Sequence, residues 1–266
     1  MDSFYKRYCN GECDKVWDEL ILLGDKVRSR AVISDAQSVA REFVSRCRKN
    51  LMLLHARLQE IGYQFASPEN ALRKPTKSEL EQLDVIESKY GTLPIILRAW
   101  YETFGSVDFR QSSEQLQHPD GIKPQKGPAV YGLGSHPAIV FVDLNESLKM
   151  ITEIDKERVA CIQEAKKNGY YDPEMEKYEP FFPLGGWTSN CEPKGFILPD
   201  HKFDGVIYND GGGDMYFAYE LRNAFRWGGF PFWSHSLKNR NFYSPFEYKP
   251  NFKKIAPVLQ RDLAAV

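Results

Sequence analysis

The sequence predicts an α+β fold in which an N-terminal helical hairpin precedes a region of helices and short strands. Two observations carry this prediction. Apolar residues recur at three- and four-residue steps between Ala36 and Ile61, a pattern typical of a long amphipathic helix, and Gly62 ends it. After residue 180 the apolar residues form short runs separated by Gly, Pro, Asn and Asp, which is typical of strands joined by turns.

The first 75 residues are predicted to form a helical extension. A shorter helix before the long one is indicated by Val16, Trp17, Leu20 and Ile21. Prolines at 68 and 75 mark residues 63–75 as a connection. The predicted segments are a helical extension with its linker (1–75), an α+β domain (76–234) and a C-terminal tail (235–266).

The middle of the chain contains three further predicted helices. Thr76 and Glu79 stand at capping-box spacing, as do Asp143 and Glu146, so a helix is expected to begin at each site. Between them, Pro94 suits the first turn of a helix, because its missing N–H would have no partner there. Short strands are predicted at 139–142, 181–182, 196–198, 206–208 and 215–219, and a last helix at 221–227.

The stretch 208–216, YNDGGGDMY, allows two interpretations. It could wrap a phosphate or a metal ion, or it could be only a turn. A phosphate loop needs a lysine and a following helix, whereas these glycines end in Asp214 and are followed by a strand-like run. Asp-Gly and Gly-Gly pairs supply the positive φ values of tight hairpins, so the sequence favours a β-hairpin.

Charge and composition limit the class of protein. Lys+Arg 35 against Asp+Glu 36 gives a formal net charge of -1, which argues against a general nucleic-acid binder. Residues 28–57 carry seven basic and two acidic side chains, whereas residues 143–179 carry ten acidic and six basic ones. For these segments, two solvated helix faces are favoured over a dedicated polyanion site.

The sequence also bears on the compartment. The start of the chain has no apolar run typical of a signal peptide, and no segment approaches the roughly 18 apolar residues of a membrane span. The five cysteines form no CxxC pair, so we expect reduced thiols in a cytoplasmic protein. We therefore expect neither a membrane partner nor direct contact with nucleic acid.

No arrangement of residues predicts a catalytic site. The five histidines lack metal-ligand spacing, and the sequence contains neither GxSxG nor HExxH. Cys191 lies in a polar loop, and His201 lies in a short polar turn between Pro199 and Gly205. We expect no catalytic residue, no cofactor and no metal, and an enzyme that uses Cys191 or His201 is the least favoured hypothesis.

The order of the elements between residues 76 and 234 resembles the SUKH superfamily. Residues 87–94, ESKYGTLP, followed by a helix that ends at Gly105, resemble the opening helix, the g-x-LP turn and the second helix of that family. The stretches 182–186, 195–198 and 205–208 resemble its central strands, and 221–225 its closing helix. The resemblance implies an α+β domain in which helices pack on a mixed or antiparallel sheet.

The resemblance also implies a function. Members of the superfamily include bacterial immunity proteins, which bind and block toxins, and fungal cell-wall assembly regulators. We therefore expect a non-enzymatic module for protein–protein interaction whose function is toxin neutralisation. The expected partner is a protein toxin, for example a nuclease. A regulatory scaffold that docks its partner through the N-terminal helices is the alternative.

Four residues are candidates for the partner-binding surface. Asp210 and Asp214 stand at the tip of the predicted hairpin, where carboxylates could complement the basic groove of a nuclease. Trp187 and Asn190 lie in the neighbouring loop between two predicted strands. Together they predict one surface formed by two loops.

Overall fold

The chain folds into helices and short antiparallel strands, which a computed structural model describes for residues 2–112, 139–141, 143–177, 179–185, 194–208, 215–230 and 257–266. The helices are α1 Phe4–Cys9, α2 Cys13–Leu22, α3 Ile33–Glu60, α4 Lys77–Tyr90, α5 Ile95–Thr103, α6 Leu144–Asn168 and α7 Phe217–Arg226. The strands are β1 Leu72–Arg73, β2 Ser106–Asp108, β3 Val140–Phe141, β4 Phe181–Gly185, β5 Lys194–Ile197, β6 Val206–Ile207 and β7 Met215–Tyr216. Single 3-10 turns cover Gly24–Arg28 and Pro173–Glu176. The predicted α+β class and its N-terminal helical region are confirmed.

The strands form two antiparallel groups. In the first, β2 is central and pairs with β1 and β3. In the second, β4 pairs with β5 and β6 pairs with β7, while a bridge between Gly195 and Tyr208 joins the two pairs. The last four strands therefore follow one another as a meander, and the predicted antiparallel pairing of β6 with β7 is confirmed.

The two predicted capping sites are confirmed. Thr76 accepts a hydrogen bond from the Glu79 N–H at 3.2 Å, and the Glu79 carboxylate accepts one from the Thr76 N–H at 2.7 Å. Asp143 accepts a hydrogen bond from the Glu146 N–H at 2.9 Å. Each cap satisfies donors that have no partner within the helix, which is why the local sequence was enough to place both starts.

α3 supplies one side of the core and packs against α5. Its buried apolar side chains recur at the predicted steps and are Ala36, Val39, Ala40, Phe43, Val44, Cys47, Leu51, Leu54 and Leu58. Removing a side chain of leucine or phenylalanine size from water contributes about 1.5–3 kcal/mol. The helix therefore forms because of tertiary burial along one continuous stripe.

The N-terminal helices share this core with the strand region. The Trp17 ring of α2 lies 4.6 Å from the Phe43 ring of α3 and 4.8 Å from the Phe203 ring, between centroids. Phe203 belongs to the connection that precedes β6. One continuous set of buried residues thus includes both segments.

The predicted linker and the predicted C-terminal tail also pack against the core. In the predicted linker, Tyr63 and Phe65 are buried and Leu72–Arg73 form β1. In the predicted tail, the described residues 257–266 contact α3 and α7, and Leu259 is buried.

The predicted strand 215–219 is wrong beyond Tyr216, because α7 begins at Phe217. The Asp204 carboxyl accepts a hydrogen bond from the Ala218 N–H at 3.4 Å and so supplies a partner to a donor in the first helical turn. Asp204 is 14 residues from Ala218 along the chain, so no local sequence pattern predicts that it caps this helix.

Candidate functional site

None of the four residues predicted to bind a partner falls in the described part of the chain. Trp187, Asn190, Asp210 and Asp214 lie outside the described residues, as does Cys191. His201 is exposed, and its main-chain carbonyl accepts a hydrogen bond from the Arg28 Nε at 3.0 Å. Asp204, in the same turn, is buried. The imidazole and this carboxyl therefore lie in different environments.

The strand ends that flank the two predicted binding loops lie side by side. The successive antiparallel partners are Gly185 with Lys194, Gly195 with Tyr208, and Ile207 with Met215. In an antiparallel meander, alternate connections leave from the same end of the sheet. The described residues before and after both loops therefore share one end of the meander.

Three tyrosines of β7, its partner segment and α7 are exposed, and we call Tyr208, Tyr216 and Tyr219 the tyrosine face. They are 38%, 39% and 61% exposed, respectively. Val206 stands directly opposite Tyr216, so Tyr208, two residues along the chain, is the diagonal neighbour of Tyr216 on the same side of the sheet. Such neighbours lie about 7–8 Å apart, within reach of aromatic rings.

The tyrosine face continues from the sheet onto α7. Tyr216 is the N-cap residue of α7, and Tyr219 lies in its first turn. The start of this helix is fixed to the sheet by a hydrogen bond from the Phe217 N–H to the Gly205 carbonyl at 3.1 Å. Backbone hydrogen bonds therefore connect the strand that carries one tyrosine with the helix that carries another.

A largely buried ion pair supports the face from the side. Lys194, at the start of β5, donates to the Glu220 carboxylate in the first turn of α7, and the two side chains are only 14% and 11% exposed. The Lys194 Nζ also lies 5.8 Å from the centre of the Phe141 ring. A carboxylate in the first turn interacts favourably with the positive end of the helix dipole. The pair ties β5 to the helix that carries Tyr219.

Asp204 fixes the start of α7 from the interior. Its carboxyl accepts a hydrogen bond from the Trp17 Nε1 at 3.1 Å in addition to the one from Ala218. Burial raises the pKa of Asp204 from 3.8 to about 7, although the hydrogen bonds and the nearby Arg222 guanidinium act in the opposite direction. Arg222 in turn lies over the Trp17 ring, 4.8 Å from its centre. Through these contacts α2 helps to position α7.

This arrangement is suited to binding a macromolecule. A tyrosine ring buries a large apolar area and loses little conformational entropy when it does so, because it has only two side-chain torsions. Its hydroxyl can still hydrogen-bond at the edge of the contact. Three such rings on paired strand residues and the start of a helix present both kinds of contact.

The described residues also bear on small-molecule and metal binding. Two of its depressions have volumes of about 30 and 150 Å³, whereas small-molecule sites typically enclose about 300–1,000 Å³. Within the described ranges, no group of three or more His, Cys, Asp or Glu side chains could hold a metal ion. Cys9, Cys13, Cys47 and Cys161 are free thiols. Among the described helices, none combines the length and the apolar character needed to cross a bilayer.

Comparisons with known proteins add no relative to this description. No protein-family model, no curated protein and no solved structure matches this chain. The structure by itself defines the class, an α+β protein with antiparallel sheets and a helical N-terminal region. The resemblance to the SUKH superfamily stays a prediction.

Proposed function

We propose that this protein is a non-enzymatic binding module of the SUKH type, an immunity protein that binds and neutralises a cognate bacterial toxin. The observation that carries the proposal is the tyrosine face, in which three exposed tyrosines lie on the β6–β7 pairing and the first turn of α7, and buried contacts of Asp204 and Lys194 fix that helix. Tyrosine is among the residues that dominate binding energy at protein interfaces. A fixed surface of this composition supports recognition of another protein.

The order of the elements supports the family assignment within the proposal. Helix α4, the turn at residues 91–94, helix α5, the antiparallel strands and the closing helix α7 follow the order that the resemblance implies. The turn also has a structural role. Gly91 has a φ of +106°, and a Cβ atom there would lie 2.8 Å from the Cβ of Pro199. A glycine at this position thus lets the turn approach the connection before β6.

Neutralisation would be steric. A preformed surface loses little conformational entropy on binding, so it can cover the active site of a toxin without rearrangement. For a nuclease toxin, Asp210 and Asp214, which stand between Tyr208 and Tyr216 in the sequence, would place carboxylates against the basic substrate groove. The proposal includes a cytoplasmic location and needs neither a cofactor nor direct contact with nucleic acid or membrane.

The tyrosine face can be tested by substitution. We expect co-expression with a toxin-like protein encoded beside the gene to give a stable complex and to restore growth. Tyr216→Ala and Tyr219→Ala should each weaken toxin binding by roughly tenfold or more in calorimetry, because truncating a hot-spot residue costs about 2 kcal/mol. Tyr170→Ala is the matched control, since Tyr170 is 59% exposed and lies after α6.

These experiments test the immunity function and the role of the tyrosine face separately. If no toxin-like protein from the gene neighbourhood forms a complex or is neutralised, the immunity function is wrong. If a complex forms but Tyr170→Ala weakens it as much as Tyr219→Ala does, the tyrosine face is not the interface. Charge reversal at Asp210 and Asp214 should reduce the association rate if the toxin surface is basic.

A further inference from the structure

Two depressions lie on the surface along α3 and α5. At one end, Gln37 and Arg41 of α3 face Arg98 and Glu102 of α5 across a depression of about 30 Å³. At the other end a larger depression, of about 150 Å³, is bordered by Arg48, Met52, Leu72, Lys74, Thr103 and Phe104. We call the surface that joins the two depressions the α3–α5 groove.

The groove has the length of a short peptide. Gln37 and Met52 are fifteen residues apart on one helix, which at a rise of 1.5 Å per residue corresponds to about 22 Å. An extended chain advances about 3.3 Å per residue, so roughly seven residues would cover this distance. Helices α3 and α5 and strand β1 form the groove, whereas the tyrosine face belongs to β6, β7 and α7.

Three cations on the groove have no counterion in the part of the chain that the structure describes. The side chains of Arg41, Arg48 and Lys74 make no ion pair or hydrogen bond with the described residues. Neighbouring cations differ, because Arg98 is held by Asp84, Glu87 and Glu102, and Arg73 by Glu79. The unpaired charges create a positive potential along the groove, which attracts carboxylates.

The larger depression adds an apolar contact between these charges. Phe104 is buried at its edge, Leu72 is half-buried, and Met52 is 55% exposed. A dry apolar cavity of about 150 Å³ can hold a ring the size of benzene. The larger depression therefore has a volume that corresponds to one leucine or phenylalanine side chain, and flexible methionine adapts to different shapes.

We propose that the α3–α5 groove binds an acidic peptide segment of a protein partner. One apolar side chain of the segment enters the larger depression, and flanking carboxylates pair with Arg41, Arg48 and Lys74. Arg41 and Arg48 are separated by a helical rise of about 10.5 Å. Carboxylates four residues apart lie on the same face of an extended chain, about 13 Å from each other, a difference that the long arginine side chains can span. The side-chain-sized apolar depression and the net charge of -1 favour a peptide over a nucleic acid.

The groove can be tested with the full-length protein and a synthetic peptide. The probe is a fluorescein-labelled peptide of seven residues with one central leucine flanked by aspartate and glutamate. We expect saturable binding in fluorescence anisotropy, weakened at least about fivefold by Arg48→Glu and again by Lys74→Glu, because each reversal replaces an attraction with a repulsion. Lys49→Glu is the matched control, since Lys49 is exposed on α3 but does not border the depressions.

Two further probes separate the apolar contact from simple charge attraction. A peptide with alanine in place of leucine should bind more weakly to the wild type, and Met52→Lys should remove that difference. A single-stranded oligonucleotide of the same charge should bind more weakly than the leucine peptide. Circular dichroism confirms that each variant is folded.

Three results would overturn the proposal. They are no saturable binding of the leucine peptide, an equal loss of affinity with Lys49→Glu, or an oligonucleotide that binds as tightly as the peptide. The last result would assign the groove to nucleic acid. Because the test uses no toxin, its outcome is independent of whether toxin neutralisation is observed.

Discussion

At the scale of single residues, Asp204 joins parts of the chain that the sequence does not connect. Its carboxyl accepts a hydrogen bond from Trp17, 187 residues away, and another from the first turn of α7. Both contacts are buried, so water cannot replace either partner. A single carboxyl thus couples the N-terminal helices to the helix that carries the tyrosine face.

Asp204 should make the protein less stable as the pH rises. Its pKa is about 7 in the folded protein and 3.8 as the reference for the unfolded chain. Between these values the folded state keeps a proton that the unfolded state has released. The free energy of unfolding therefore falls as the pH rises from about 4 to about 7. Above about pH 7 the stabilisation by the protonated Asp204 is lost, and this group causes no further change.

Urea unfolding of Asp204→Asn at about pH 5 and about pH 8 measures this contribution. We expect a smaller loss of stability between the two pH values than in the wild type, because the amide does not titrate and can still accept the Trp17 hydrogen bond. Asp18→Asn, which changes an exposed carboxyl of the same helix as Trp17, should leave the dependence of the wild type unchanged. An unaltered pH dependence in Asp204→Asn would contradict the assignment.

In the basic segment 28–57, counting charges does not show which arginines have partners in the folded protein. The sequence favours a solvated helix face for these residues, but the structure gives three of the arginines partners. Arg28 donates to main-chain carbonyls of Leu93 and His201, Arg46 pairs with Glu42, and buried Arg57 donates to carbonyls of residues 259 and 261. These partners are distant in sequence except Glu42, so composition alone could not separate structural arginines from exposed ones.

At the scale of elements, helix starts capped by nearby residues were predictable and the start of α7 was not. Thr76 and Asp143 indicate where their helices begin, because each side chain accepts a hydrogen bond from the residue three positions later. α7 receives its buried cap from Asp204, and the apolar run of residues 215–219 fits a strand equally well. Helix α1 was likewise not predicted, since its N-cap Ser3 precedes only six helical residues.

The C-terminal segment 257–266 depends on a polar residue within the apolar stripe of α3. The buried Asn50 side chain donates to the Ala264 carbonyl at 2.9 Å and accepts from the Ala264 N–H at 2.7 Å. This arrangement reproduces the pair of hydrogen bonds that a neighbouring strand would make. A polar residue among apolar ones gives no indication in the sequence of what it binds.

Asn50→Ala should release this segment. Losing these two hydrogen bonds should lower the free energy of local opening by about 1–3 kcal/mol. This decrease is enough to raise the population of the opened segment 257–266 many-fold. Amide hydrogen exchange, followed by mass spectrometry, should show faster exchange in that segment and little change in α5. Ser45→Ala, at an exposed position of the same helix, is the control. Equal protection of the segment in Asn50→Ala would show that other contacts hold it.

At the scale of the whole molecule, the N-terminal helices and the strand region form one packed unit. The sequence correctly predicts α2 and α3, since their apolar residues repeat every three or four positions, but it does not say which surface they cover. That surface includes α5 and the connection around Phe203. Contacts of this range are set by the complete fold, so periodicity along the chain cannot specify them.

Deleting residues 1–66 should therefore abolish cooperative folding of the remainder. The deletion removes four large buried side chains of α3, namely Phe43, Leu51, Leu54 and Leu58. At about 1.5–3 kcal/mol each these contribute roughly 6–12 kcal/mol, which is comparable to the net stability of a typical domain, about 5–15 kcal/mol. Differential scanning calorimetry should show one transition for the full chain and none for residues 67–266. A sharp transition in the truncated protein would instead identify the helices as a separable docking element, as the regulatory-scaffold alternative requires.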